Sequence, residues 1–351
     1  MNNNKRVVIL FSRLSDYMLK TLETYVATTK NEILIFKIDP DKTEAPFQFN
    51  LKNDLISFKN ENDFNESELL TEIETFDPNV IICSGWWNKK YINVVKHLHK
   101  STPCILTMDN QWHGTLKQYL GCVYGRLFLK KLFVKIWVPG NAQKEFAKKL
   151  GFLDEDILTG WYVANDKFSR QLDEDNFNKR FVFVGRYVAH KGILDLINCF
   201  KILKESTNDQ WQLHCYGTGD LIDKLPIDSD IIHHGFMQPS QLVAEAKKGG
   251  VFVLPSHFEP WGLVVQEFAL AGYPLIVSNK VGAAEQFVKK DNGLIFEAKE
   301  NNSLLNALRA FTLKSDIELL NMSKKSQEYG KTIGTKSWTA NLESLIKSFD
   351  N

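Results

Sequence analysis

Glu259 and Glu267 stand eight residues apart and bracket Trp261, Gly262 and Leu263 in the run SHFEPWGLVVQEFALAGYP. This run follows the apolar stretch GVFVLP and reads as a loop that enters a helix near Trp261 or Gly262. The first-turn N–H groups of Gly262, Leu263 and Val264 then have no intrahelical partner. They sit at the positive end of the helix dipole, which suits a phosphate, and glycine lets the phosphate come close. Glu267, further along, can accept hydrogen bonds from two vicinal hydroxyls, and Glu259 from hydroxyls nearer the loop. Two glutamates on a helix are by themselves ordinary solvated groups, so their meaning depends on what accompanies them.

Cations accompany them. Upstream, FVGRYVAHKGILDL carries Gly185, Arg186 and Lys191 in one loop between an apolar run and a helical pattern. Arg binds an anion bidentately and Lys as a point charge, a pairing suited to a diphosphate. Two further turns follow strand-like runs. CYGTGD holds Gly217 and Gly219, which permit close backbone approach, and in HGFMQPSQL the main chain at Phe236 and Met237 can meet the edge of a planar base. A lone glycine pair of this kind is most often only a turn.

The elements that must position these residues form two series. The runs RVVILF (6–11), ILIFKI (33–38), NVIICS (79–84), CILTM (104–108) and FVKIWV (133–138) are continuously apolar, as strands covered on both faces are. The pattern restarts with RFVFVGR at 180 and runs through WQLHCYG, DIIHHG, GVFVLPS, YPLIVSN and NGLIF, with amphipathic stretches between. The expected class is α/β with two Rossmann-like parallel-sheet domains and a cleft between them. The first domain is assigned to 1–168 and the second to 169–335, with the boundary in the polar stretch SRQLDEDNFNKR. A last amphipathic helix, 336–351, is expected to cross back to the first domain. A chain of 351 residues, 44% hydrophobic and 24% charged, is long enough for two such cores.

The formal net charge of +1 excludes a general attraction to nucleic acid. One basic segment stands out: Lys117, Arg126, Lys130, Lys131 and Lys135 alternate with Tyr124, Phe128, Phe133 and Trp137. It reads as an amphipathic helix followed by a buried strand, and also as a surface that can lie on a membrane. No apolar run reaches the ~20 residues of a spanning helix, and MNNNKRVVIL lacks a signal-peptide cleavage pattern. The expected location is therefore the cytoplasm, with a peripheral position on the inner membrane face. The five cysteines have no CxxC spacing and no HExxH occurs, so reduced thiols are expected and neither a metal nor a cofactor is.

In this order, GRYVAHKG, YGTGD, HGFMQPSQL and SHFEPWGLVVQEFALAGYPLIVSNKVGAAEQFV resemble the retaining GT-B glycosyltransferases of glycosyltransferase family 4 (glycosyl transferases group 1). The last run matches the family's E-x7-E signature at Glu259 and Glu267. The resemblance covers about residues 180–300. It implies that Arg186 and Lys191 hold the donor diphosphate and that Gly262 and Leu263 contact phosphate through backbone amides. Glu259 would face the donor sugar and Glu267 the ribose, and transfer would retain configuration without a metal. The implied partners are a nucleotide-sugar donor, a UDP-sugar first and a GDP-sugar second, and a glycan or lipid-linked glycan acceptor in cell-surface polysaccharide synthesis.

The chain departs from the family in two places. No glycine occurs before Gly85, so the loop after the first strand, FSRLSDYM, lacks the family's glycine-rich character. Where the family often carries a histidine after the fourth strand, close to the donor sugar, LTMDNQWHG places Asp109 in the corresponding position, which the resemblance makes the first candidate for that catalytic role, with His113, four residues later, the second. The first domain is expected to bind the acceptor through SRLSD, SGWWNKKY and DNQWHG, where Trp86, Trp87 and Trp112 can stack on sugar faces. A non-catalytic homologue that binds nucleotide or sugar as a partner subunit is the second reading.

Overall fold

The computed structural model describes residues 4–12, 15–38, 53–172, 176–206 and 210–349. The chain divides into two compact units, Met1–Val163 with Ile333–Asn351, and Ala164–Thr332. Each is built on one parallel sheet.

The first sheet has seven strands: β1 Arg6–Phe11, β2 Glu32–Lys37, β3 Ile56–Asn60, β4 Val80–Ser84, β5 Cys104–Thr107, β6 Lys135–Trp137 and β7 Ile157–Leu158. Their order is β3-β2-β1-β4-β5-β6-β7, and every pairing is parallel. Val7, Val8, Ile9 and Leu10 are all buried, as expected of a strand covered on both faces. The sequence reading found five of these strands and missed the two edges. β3 is only half-buried, with the pattern Beiii, and β7 has two residues, so neither makes an apolar run.

The second sheet has six strands: β8 Arg180–Val184, β9 Gln212–Tyr216, β10 Ile231–His233, β11 Val251–Leu254, β12 Leu275–Ser278 and β13 Gly293–Phe296. Their order is β10-β9-β8-β11-β12-β13, again all parallel. All six coincide with runs picked out from the sequence.

The C-terminal helix Thr335–Phe349 belongs to the first unit. Its Trp338 ring stacks on Trp137 at 5.0 Å, and Trp338 Nε1 donates to the Trp161 carbonyl at 3.1 Å. Glu343 accepts from the Tyr25 hydroxyl and from Asn31 Nδ2, each at 2.8 Å. A buried aromatic cluster with its polar edges satisfied holds the helix in place.

At the inner end of the expected boundary, Ala164 N–H donates to Gln266 Oε1 at 2.9 Å, Arg170 Nε donates to the Ala271 carbonyl at 2.6 Å, and the Arg170 carbonyl accepts from Gln327 Nε2 at 2.8 Å. Residues 164–170 therefore pack with the second unit. Residues 173–175 of that stretch, like 13–14 of the SRLSD loop, lie outside the described residues. No helix among the described residues is long and apolar enough to cross a membrane.

Candidate functional site

In an open parallel sheet, ligands bind beyond the carboxyl ends of the strands where the strand order reverses. In the second unit that point lies between β8 and β11, because β8 leads outward to β9 while the chain resumes on its other side at β11. The loop after β8 carries Gly185, Arg186 and Lys191. The loop after β11 carries Glu259, Trp261 and Gly262.

The two loops touch. Lys191 Nζ and the Glu259 carboxylate form an ion pair, with side-chain exposures of 16% and 15%. Gly192 stands at φ 69°, and a Cβ there would lie 2.2 Å from the Pro255 carbonyl oxygen, so only glycine admits this approach. His257 adds two links: its N–H donates to the His190 carbonyl at 2.8 Å, and its Nε2 lies 2.5 Å from Asp195 Oδ2.

The Glu259 backbone is held from the far side. Its N–H donates to the Lys280 carbonyl at 3.0 Å, and its carbonyl accepts from Gly282 N–H at 3.1 Å. Trp261 is buried, its ring packs on Phe287 at 6.1 Å, and its Nε1 has no hydrogen-bond partner among the described residues. The helix begins at Leu263, with Gly262 as N-cap at φ 86°. A Cβ on Gly262 would come within 2.9 Å of Val281 Cγ1 and 3.0 Å of Glu259 Cγ. Glycine thus turns the chain sharply enough to leave the Leu263 and Val264 N–H groups at the helix mouth without a capping side chain. Glu267 is half-buried in the middle of this helix.

Arg186 is exposed beside the ion pair. His190 is held below the ordinary histidine value, first by partial burial and then by the Lys191 and Arg186 charges.

Gly217 and Gly219 stand where neighbouring backbones come close. A Cβ on Gly217 would lie 1.9 Å from the Gly185 carbonyl oxygen, and one on Gly219 2.6 Å from the Tyr187 carbonyl oxygen. Gly217 N–H donates to Gly235 and Gly185 N–H to Tyr216, at 2.8 and 3.0 Å. These glycines let the loops after β8, β9 and β10 press against one another, and that packing brings Gly185, Gly217 and the half-buried Phe236 and Met237 into neighbouring loops.

In the first unit the strand order reverses between β1 and β4, where Ser12 Oγ and Ser84 Oγ meet at 3.2 Å. Asp109 follows β5 nearby in the order. Partly buried Tyr162 hydrogen-bonds Asp109 and Tyr17, and burial, with those neighbours, pushes its phenol well above the ordinary tyrosine value. The Asp109 carbonyl accepts from Gln143 Nε2 at 3.2 Å. His113 is exposed, and its N–H donates to Gln118 Oε1 at 2.8 Å at the start of the helix Leu116–Tyr124.

The three tryptophans are not equivalent. Trp86 and Trp112 pack against the core, both on Phe146, at 6.3 and 5.7 Å. Trp87 is 64% exposed and alone of the three presents an open ring.

The sequence reading did not single out His190, the His257–Asp195 pair, or a stack under β9 and β10. In that stack Tyr216 and His234 lie parallel at 4.3 Å, and His214 Nδ1 meets His234 Nε2 at 2.9 Å. The only sequence signal was the repetition of histidine in AHKG, LHCYG and HHG; their partners are distant in the chain. Among the described residues no group of three or more His, Cys, Asp or Glu side chains is placed to hold a metal ion.

The reversal point of this parallel sheet thus gathers the Lys191–Glu259 ion pair, exposed Arg186 and a helix opened by Gly262. Residues 164–332 match the family model described as Glycosyl transferases group 1, and the chain has the GT-B fold. One similar protein is an uncharacterized glycosyltransferase of Methanocaldococcus jannaschii, 31% identical over 156 residues, 42% of this chain and 39% of that one. Another is an uncharacterized 41.2 kDa protein in the cps region of Klebsiella pneumoniae, 22% identical over 230 residues, 65% of this chain and 57% of that one. The matches thus span less than two thirds of these relatives' length. Among solved structures, Anabaena HepE in complex with UDP and glucose superposes with a TM-score of 0.73 over 98% of this chain and all of its own, at 12% identity, which is a likeness of fold.

Proposed function

We propose that this chain is a retaining glycosyltransferase of glycosyltransferase family 4. It moves a hexosyl group from a nucleoside-diphosphate donor, a UDP-sugar first and a GDP-sugar second, to a glycan or lipid-linked glycan acceptor in cell-surface polysaccharide synthesis. The observation that carries the reading is the Lys191–Glu259 ion pair at the reversal point of the second sheet, beside Arg186 and the helix mouth at Gly262.

In this reading Arg186 and Lys191 neutralise the diphosphate and stabilise the charge that grows on it as the glycosidic bond breaks. The Leu263 and Val264 amides add fixed dipoles. Glu259 keeps Lys191 oriented before the donor arrives and accepts from sugar hydroxyls once it is bound. Glu267 takes the ribose. The leaving phosphate assists removal of the acceptor proton on the same face, so configuration is retained by positioning and electrostatics. Asp109 keeps the catalytic role of the family's histidine, and Trp87 serves the acceptor. The solved HepE complex with UDP and glucose and the Klebsiella relative from a cps region support the donor class and the biosynthetic setting.

The test is the rise in melting temperature with UDP, GDP, ADP, CMP and their sugars, repeated on Lys191→Ala and Glu267→Ala, since a ligand of the native state stabilises by RT ln(1 + [L]/Kd). The expected result is a rise with UDP that both variants lose, followed by transfer to a glycan acceptor. No rise with any nucleotide sinks the reading. A rise without transfer to any acceptor favours the second reading, a nucleotide-binding partner subunit.

A further inference from the structure

The segment Leu116–Leu132 is one continuous helical stretch: a helix Leu116–Tyr124, a π-turn Gly125–Leu129 and a final turn Lys130–Leu132. Cys122, Gly125, Leu129 and Leu132, spaced by three and four, face the core and are buried. A soluble surface helix is polar on its other side. This one is apolar there too. Leu116 is 77% exposed, Tyr119 58%, Leu120 65%, Val123 58%, Leu127 52% and Phe128 53%. These residues recur at the same helical spacing and lie opposite the buried ones, so they form one contiguous outward stripe.

The charges carried by the segment itself have one sign. Between Asp109 and Glu145 the sequence contains no acidic residue but holds Lys117, Arg126, Lys130, Lys131, Lys135 and Lys144, in a chain whose net charge is only +1. Lys130 and Lys135 are engaged by Asp156 at 2.5 and 2.9 Å. Among the described residues Lys117 and Lys131 form no ion pair, and both are exposed at the two ends of the stripe. The stripe is too short and too charged to span a bilayer, and no described helix qualifies as a spanning one.

We propose that the outward face of Leu116–Leu132 docks the protein onto an anionic lipid bilayer, lying in its surface plane. Leucine, valine and aromatic side chains enter the headgroup and acyl boundary, while Lys117, Arg126 and Lys131 meet lipid phosphates. A second copy of the chain is a poorer occupant. Two such faces brought together would oppose lysine to lysine across a segment with no carboxylate to answer them. An anionic lipid surface answers both the apolar area and the charge.

The experiment is co-sedimentation of the purified full chain with vesicles of phosphatidylcholine alone and of phosphatidylcholine mixed with phosphatidylglycerol. It is repeated on Leu120→Asp with Leu127→Asp and on Lys117→Gln with Lys131→Gln, after melting curves show both variants folded. Partition is expected onto the anionic vesicles, weakened by salt, and lower by about tenfold or more in each double variant. The proposal is overturned if the wild type ignores anionic vesicles or if both variants bind like it. It is equally overturned if the wild type forms a dimer that the leucine variant dissociates. The readout is partition and not transfer, so it stands or falls independently of the donor-site reading.

Discussion

His257 Nε2 lies 2.5 Å from Asp195 Oδ2 while the His257 N–H donates to the His190 carbonyl at 2.8 Å. The loop after β11 is therefore fastened to both the turn and the helix that follow β8, on either side of Lys191. Asp195→Asn and His257→Ala are expected to weaken UDP binding by roughly ten- to a hundredfold through a looser Lys191, the size of a lost hydrogen bond to a charged group. Isothermal titration checks this. Unchanged affinity in both variants would mean that the fastening does not matter to the site.

Gly192→Ala faces two penalties, a φ of 69° and a Pro255 oxygen 2.2 Å from the new Cβ. Neither the carbonyl nor the turn can yield without moving Lys191. A loss of about 2–4 kcal/mol is expected in denaturant unfolding, with nucleotide binding falling alongside. At exposed Gly114 a Cβ meets nothing within 4 Å, so Gly114→Ala carries only the cost of its φ of 66° and should be the milder change.

The β9–β10 histidine stack makes stability depend on pH. His214 is pushed down to about 4, first by burial and then by the Arg180 and His234 charges, and His234 is also lowered, first by burial. Around them stand Glu245, Lys248, His233 and the Tyr216 hydroxyl that donates to Glu245 at 2.8 Å. With the folded value below the unfolded one of 6.5, the unfolded chain binds the extra proton. The contribution is therefore fully present above pH 6.5 and drains away as pH falls toward 4. Melting curves across this window should show a drop for the wild type that is smaller in His214→Gln; identical drops would refute the assignment.

Trp87 and Trp112 should separate stability from acceptor use. Trp112 lies against Phe146 and Tyr119 with the Lys149 ammonium 4.8 Å from its ring centroid, so Trp112→Ala should cost about 2–3 kcal/mol in urea unfolding. Trp87→Ala, at an exposed ring, should stay within about 0.5 kcal/mol. If Trp87 serves the acceptor, its variant raises the acceptor KM while leaving the nucleotide affinity alone.

The sequence by itself determined the parallel α/β class, nearly all the central strands, and the residue types of the donor loops. Continuous apolar runs need burial on both faces, and a run such as GVFVLP leaves no other solution. It also carried the first-turn geometry at Gly262, because glycine before a helix is a local matter. Tertiary structure decided what no local pattern encodes. Edge strands β3 and β7 are half-exposed or two residues long, so their pairing and not their composition makes them strands. Gly217 and Gly219 stand where loops distant in the chain press their backbones together, which no local pattern states. Trp86, Trp87 and Trp112 are alike in sequence and were sorted into core and surface only by what packs on them. Lys191 and Glu259 lie 68 positions apart. Spacing along a chain can name the charges, but only the folded sheet brings opposite charges within reach of each other, because Coulomb attraction depends on distance through space.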